Sequence, residues 1–172
     1  MTKSSNAEST RERIKNAARI LFDQGGVDSL TMRAIAREAD IGTMTTYRHF
    51  PNRDAVLAYL IAFGFKIFGG YYERIMESAD LAHRPWACMQ SYLEFSMEFP
   101  RYYQLMFIHE QPLESLPLER EDRDHIEDAL GFFLTQLAAS RGHETPTEKD
   151  EVDALHIWAL GHGLVSLHLA SR

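Results

Sequence analysis

Apolar positions recur three and four residues apart along nearly the whole chain, the spacing of helices with one buried face. From Glu8 to Phe22 they are Ile14, Ala17, Ala18, Leu21 and Phe22, and Gly25-Gly26 stops the run. After the connection Val27-Asp28-Ser29-Leu30, Thr31 stands as an N-cap before Met32, Ile35, Ala36 and Ala39. Asp40-Ile41-Gly42 breaks the pattern as a tight turn does. Thr43 to Phe50 then makes about two further helical turns, ended by Pro51-Asn52. Asn52 is placed to cap a long fourth helix through Val56, Leu57, Leu60 and Ile61 toward Met76, weakened at Gly64, Gly69 and Gly70. Helical spacing continues over Trp86 to Phe99, Arg101 to His109, Leu118 to Ala139 and Pro146 to Ala170. Pro112 and Pro117 bracket a loop, and Arg141-Gly142-His143 ends the penultimate helix. The pattern holds no strand alternation and no repeat, so the expected class is all-α.

Two short helices joined by a three- or four-residue turn change that picture. Ala36 and Ala39 are small enough for close helix contact and Ile41 is apolar within the turn, as a helix-turn-helix requires. The expected organisation is a three-helix DNA-binding domain over residues 1–54, ordered from about residue 8, followed by a helical domain over 55–172.

Charge decides where a polyanion could bind. The chain of 172 residues carries a net charge of −7, which argues against a nucleic-acid partner when taken as an average. Residues 1–54, however, hold nine Lys or Arg against seven acids, whereas the remainder holds nine against eighteen. A phosphate-binding surface therefore belongs to the first third. The 45% of hydrophobic residues suffices for an ordinary core. The lone Cys88 excludes an intramolecular disulfide and is expected to be a buried structural thiol. MTKSSNAEST lacks the apolar core of a signal peptide, and the apolar stretch Ala55 to Tyr72 is interrupted by glycines and Lys66, so a cytoplasmic protein with no membrane partner is expected.

The stretch from Arg13 to Leu57 resembles the N-terminal domain of the TetR family of transcriptional regulators, whose pattern runs helix, Gly, Thr, then a turn and a short recognition helix ending in Tyr-x-His-Phe. Thr31, Ile35, Ala36, Ala39, Ile41, Thr45, Tyr47, His49, Phe50 and Arg53 fall on positions of that pattern. On a helix from Thr43 to Phe50, the first-turn residues Thr43, Met44 and Thr45 would enter the major groove, where a hydroxyl bonds a base edge and a methyl meets thymine. The resemblance implies that Tyr47 and His49 contact phosphate. Thr31, Arg33, Arg48 and Arg53 complete the expected DNA-binding set, positioning rather than specifying. Thr31 reads equally as a plain N-cap, and Arg33 and Arg37 as solvated surface; Phe50 reads as core. Two residues depart from the family pattern: Gly42 where a capping side chain is usual, and Thr46 where an apolar one is common.

YLEFSMEFPRYYQLMF, followed late by HIWALGHGLVSLHLA, resembles the C-terminal domain of a TetR subset named for a Trp-His-Gly signature, here Trp158, His162 and Gly163. That resemblance implies a pocket for a small-molecule effector, with Phe65, Phe68, Tyr72, Trp86, Met89, Tyr92, Phe95, Phe107 and His162 as lining candidates. Each reads also as plain core. Twofold dimerisation through the last two helices is expected from Leu130, Phe133, Leu137, His156, Leu160, Gly163, Leu164 and Leu167, since two identical half-sites call for two identical heads. The expected function is a repressor released from a palindromic double-stranded operator when effector binds. The alternative is a DNA-binding dimer without small-molecule ligand, gated by a protein partner or constitutive. No catalytic group, cofactor or metal is expected. Nucleophile motif, paired carboxylates and phosphate loop are missing, and His162 and His168, six apart, do not share a helix face.

Overall fold

The computed structural model describes residues 2–108 and 115–171, with side chains from Thr10 onward except that of Ile75. Among them the helices are α1 (Thr2–Gly25), α2 (Met32–Glu38), α3 (Thr43–His49), α4 (Arg53–Ser78), α5 (Arg84–Glu98), α6 (Pro100–Phe107), α7 (Arg120–Ser140) and α8 (Glu148–Ala170), with a 3-10 turn at Gly26–Ser29. The expected all-α class is what the chain adopts. Differences lie at element ends: α1 begins at Thr2 rather than Glu8, and Val27–Ser29 winds into the 3-10 turn where an open connection was expected. His109 and Pro112 lie outside the described residues.

Two compact units divide the chain. One comprises Met1–Phe63 with Gln104–Glu119, the other Gly64–Tyr103 with Arg120–Arg172. In the first, α1 buries Ile14, Ala17, Ala18 and Phe22 with Leu30, Ile35, Ala36, Phe50, Val56, Leu57, Leu60 and Ile61. Local chemistry sets the joints. Thr31 Oγ1 accepts from the Ala34 N–H at 3.1 Å and starts α2, as its sequence position demands. Asp40 takes φ 51°, while Ile41 N–H reaches the Ala36 carbonyl and Asp40 N–H the Arg37 carbonyl, a Schellman turn. Gly42 caps α3 with no side-chain bond, and Asn52 Oδ1 accepts from the Ala55 N–H at 2.9 Å to start α4. Along α4 an 18-residue window of mean hydropathy 1.4 is apolar enough for a membrane span despite the glycines, yet 56% of that window is buried inside the fold.

Thr46 is fully buried and its hydroxyl has no partner among the described residues. A buried unsatisfied hydroxyl costs about 1–3 kcal/mol, and valine has the same shape without it. Thr46→Val is therefore expected to raise Tm by roughly 2–12 °C in a thermal melt, a domain of this size moving about 2–4 °C per kcal/mol. An unchanged or lower Tm would show that the hydroxyl is satisfied in solution.

In the second unit the core is aromatic. Phe68 meets Tyr72, Tyr92 and Phe95 with ring centroids 4.6, 6.1 and 5.1 Å apart, and Tyr72 stacks on Phe132 at 4.4 Å. At the start of α8, Thr147 and Asp150 form a reciprocal capping box. The Asp150 carboxylate, fully enclosed, accepts from Arg141 Nη1 at 2.8 Å, Thr147 N–H at 2.9 Å and Thr147 Oγ1 at 2.7 Å, and lies 2.7 Å from His143 Nδ1. The Thr147 hydroxyl and amide hold its pKa far below the usual carboxylate range, with Arg141 and His143 adding to the effect. A depressed folded-state pKa means the contribution is complete above the ordinary Asp range and lost as pH falls through it. Acid titration of the unfolding midpoint should show a decline below about pH 4 that is flatter in Asp150→Asn. Equal slopes would place the acid-labile groups elsewhere.

Candidate nucleic-acid interface

Helix α3 has one face buried and one open. Thr46 and the following Phe50 turn inward. Met44 is 74% exposed and Tyr47 44%; Arg48 is exposed, and Thr43, Thr45 and His49 are half-buried. All six expected contact residues of this segment thus sit on or beside its open side, with the uncapped Gly42 amide end leading. Thr31 and Arg33 stand exposed at the start of α2.

Basic residues of the first unit divide into two kinds, a division invisible in a count. Arg11 Nη1 donates to the His49 carbonyl at 3.0 Å, at the C-terminus of α3. Arg13 Nη2 donates to the Ala39 and Asp40 carbonyls at 2.5 and 2.9 Å, at the C-terminus of α2. Arg53 Nε donates to the Leu30 carbonyl at 2.9 Å and its Nη2 to the Val27 carbonyl at 2.6 Å, closing the 3-10 turn. The Arg11 and Arg13 guanidinium groups satisfy carbonyls at helix C-termini and oppose the negative end of the dipole, and Arg53 adds a second donor to the Val27 carbonyl, which also accepts from Leu30 N–H. Lys15 pairs with Glu12 and lies 5.3 Å over the Tyr59 ring, and Arg19 bonds Asn16 and lies 4.6 Å over the Phe63 ring. Arg53, expected on phosphate, has its Nε and Nη2 on protein carbonyls while the residue itself is exposed. Arg33, Arg37 and Arg48 remain exposed with no partner among the described residues, and the Lys3 side chain lies outside them.

This division has a measurable consequence. Nine cations per head would give a twofold dimer a log–log salt slope of roughly −16, whereas Arg33, Arg37 and Arg48 give about −5, or about −7 with Lys3, at about −0.9 per phosphate neutralised. Titrating affinity for a random duplex between 50 and 200 mM salt should yield the shallower slope. A slope beyond about −10 would mean that the capping arginines also reach phosphate.

In the second unit, Phe68, Tyr72, Tyr92 and Phe95 come together around the Phe68 ring, and Phe65 is buried in the same unit. Tyr92 donates to the Tyr103 hydroxyl at 3.0 Å, and the Tyr103 hydroxyl lies 2.7 Å from His162 Nδ1. Burial pushes the His162 pKa down, so the neutral ring accepts that proton, and Trp158 stacks on it at 4.8 Å. Tyr103 is absent from the lining candidates expected from the sequence, because nothing in its local pattern marks a bond to a residue 59 positions away. Met89 reaches Gly161, where an added Cβ would meet its Sδ at 2.7 Å. Trp86, expected in this cluster, is 73% exposed on the first turn of α5, because Cys88, Tyr92 and Phe95 set the buried face of that helix and residue 86 falls off it. Phe107 belongs to the other compact unit. Burial also pushes the Cys88 thiol up to about 12, leaving it protonated at neutral pH.

Helix α8 is apolar on two faces. Ala154, Gly161 and Val165 turn into the unit, while Leu155, Leu160, Leu164 and Leu167 are each more than half exposed. Leu130 and His156 are exposed and Gly163 half-buried. Phe133 and Leu137, expected at a subunit interface, are buried within the protomer, packed inward with Ala129 and Gln136 on the same side of α7.

Comparison with known proteins agrees with this geometry. Residues 14–60 match the profile of bacterial regulatory proteins of the tetR family, and residues 86–172 match that of a tetracyclin repressor-like C-terminal domain. An HTH-type transcriptional regulator of Staphylococcus aureus strain USA300 is 34% identical over 93 residues, which are 54% of this chain and 49% of that protein. The match thus spans about half the length of that relative. Among solved structures, a protein of unknown function from Rhodococcus sp. RHA1 superposes with TM-score 0.74 at 23% identity, over 94% of this chain and 84% of that one. The fatty acid degradation regulator FadR from Bacillus halodurans superposes with TM-score 0.61 at 16% identity, over 94% and 85%. Likeness at these identities is likeness of fold.

Proposed function

The chain belongs to the TetR family of bacterial regulatory proteins, and from that premise we propose that it is a repressor that binds a palindromic operator as a homodimer in the cytoplasm and leaves it when a small molecule binds. The observation that carries this reading is the open face of α3, where Thr43, Met44, Thr45, Tyr47 and Arg48 are presented beside a firmly packed inner face. Thr43, Met44 and Thr45 read base edges; Tyr47, His49, Arg48, Arg33 and Thr31 hold phosphates. Arg53 acts by fixing the start of α4. The proposed domain boundary remains at 54/55, within the first turn of α4, nine residues before the point where the compact units divide along that helix. Support for the dimer comes from the outward Leu160, Leu164 and Leu167 of α8, spaced to share one helix face and exposed as a subunit interface would cover them.

The proposed effector is a largely apolar small molecule with one hydrogen-bonding group. Support comes from the aromatic residues Phe65, Phe68, Tyr72, Tyr92 and Phe95, with Met89, in the same unit as the polar trio Tyr92, Tyr103 and His162. The Trp-His-Gly resemblance is carried by Trp158 stacked on His162. A ligand that prefers the DNA-incompetent state lowers operator affinity by its differential affinity for the two states. The close contact of the same rings favours the second reading, a dimer with no small-molecule ligand. A panel of small apolar compounds decides between them: one that raises Tm and also releases DNA supports effector gating. If no compound does either, while DNA binding is intact, the ligand-free reading stands.

A further inference from the structure

We propose that Arg11 is a positioning residue that joins the segment entering α7 to the C-terminus of the reading helix, so that events at the start of α7 alter how α3 is held. The proposal rests on the DNA-reading assignment and specifies how that reading is regulated.

Three contacts meet on one guanidinium. Nη1 donates to the His49 carbonyl at 3.0 Å, Nη2 donates to Glu119 Oε1 at 3.2 Å, and the guanidinium carbon lies 4.8 Å over the Phe50 ring. His49 is the last residue of α3 and Phe50 its C-cap, so Arg11 holds the end of the reading helix by a carbonyl and by a ring. Phe50 is buried and meets Tyr59 of α4 edge-on at 6.1 Å. Glu119 is the residue immediately before Arg120, where α7 begins, and Gln104–Glu119 belongs to the same compact unit as residues 1–63. A displacement at the start of α7 therefore reaches Glu119 across one peptide, about 3.8 Å.

The guanidinium is planar and its nitrogens are fixed relative to one another, so pulling Nη2 re-aims Nη1. A lysine ammonium is a single point charge on a flexible stem, without that fixed fork. The Glu119 side chain is 75% exposed, so the pair adds little to global stability and can be made or broken at small cost.

The test compares Glu119→Ala, Arg11→Lys and the double variant of the full chain, using duplex selected by the wild-type protein and hydrogen exchange without DNA. Glu119→Ala should leave Tm unchanged, lower operator affinity about two- to five-fold and speed amide exchange at Phe50 by a similar factor. Removing an acidic residue through the net field alone would raise affinity for DNA, so a fall is diagnostic. In Arg11→Lys the same Glu119 change should have little further effect on either readout, the non-additivity of a direct pair. Unchanged or increased affinity in Glu119→Ala with unchanged Phe50 exchange, or additive effects in the double variant, overturns the proposal. Exchange is read without DNA, so it decides the joint even if no duplex were selected, an outcome that would separately defeat the DNA-reading assignment.

Discussion

Leu160→Glu combined with Leu164→Glu is expected to convert the dimer to a monomer and to lower affinity for a two-half-site operator by on the order of 10²- to 10⁴-fold. Both side chains are more than half exposed on α8, so the protomer loses little packing when they are replaced. A second copy would bury them, and four carboxylates would then face one another without water or a cation. The large effect on DNA arises because dimerisation makes the second half-site an intramolecular partner; a monomer binds each half alone. Sedimentation and operator titration on the same preparation check it, with circular dichroism to establish that the protomer remains folded. A folded double variant that still sediments as a dimer would move the interface off α8. Phe133→Glu is not an equivalent probe: that ring is buried inside the protomer and its loss would unfold the unit.

Tyr47→Phe is expected to lower affinity about 10²-fold for every sequence alike. The hydroxyl, on a ring 44% exposed beside Arg48, would donate one bond to a phosphate oxygen per head. A net value of about 1.5 kcal/mol for a bond to a charged group, taken twice, gives about 3 kcal/mol. No charge is removed, so the salt slope should stay unchanged, whereas Arg48→Ala should flatten it by about 2 for the two heads. Thr45→Ala should instead change which base pair is preferred. If Tyr47→Phe altered the preferred sequence and Thr45→Ala did not, the division into readers and positioners would be reversed.

Much of the head was legible because caps and turns are local chemistry. Thr31 caps α2 and Asn52 caps α4 where their positions before apolar runs predict, and Gly42 leaves α3 without a side-chain cap. The guanidinium bonds were not legible. Arg11, Arg13 and Arg53 reach carbonyls 38, 26 and 23 residues away, and nothing in a residue's type separates an arginine that caps a distant helix from one that waits for phosphate. Only the fold shows that the basic head spends much of its charge on itself. Trp86 illustrates a second limit: an aromatic residue at the edge of a helical stripe falls inside or outside according to a rotation of one residue, about 100°. Phe133 and Leu137 illustrate a third, since an apolar helix facing two ways does not declare which side meets its own protomer.

Selection of bound sequences from a random duplex pool by the purified protein asks whether the open face of α3 reads DNA in a twofold pair. The predicted result is an enriched palindrome with half-sites about one helical turn apart or slightly more, lost in a Tyr47→Phe, His49→Ala double variant that remains folded. Enrichment equal for wild type and variant, or none for either, would contradict it.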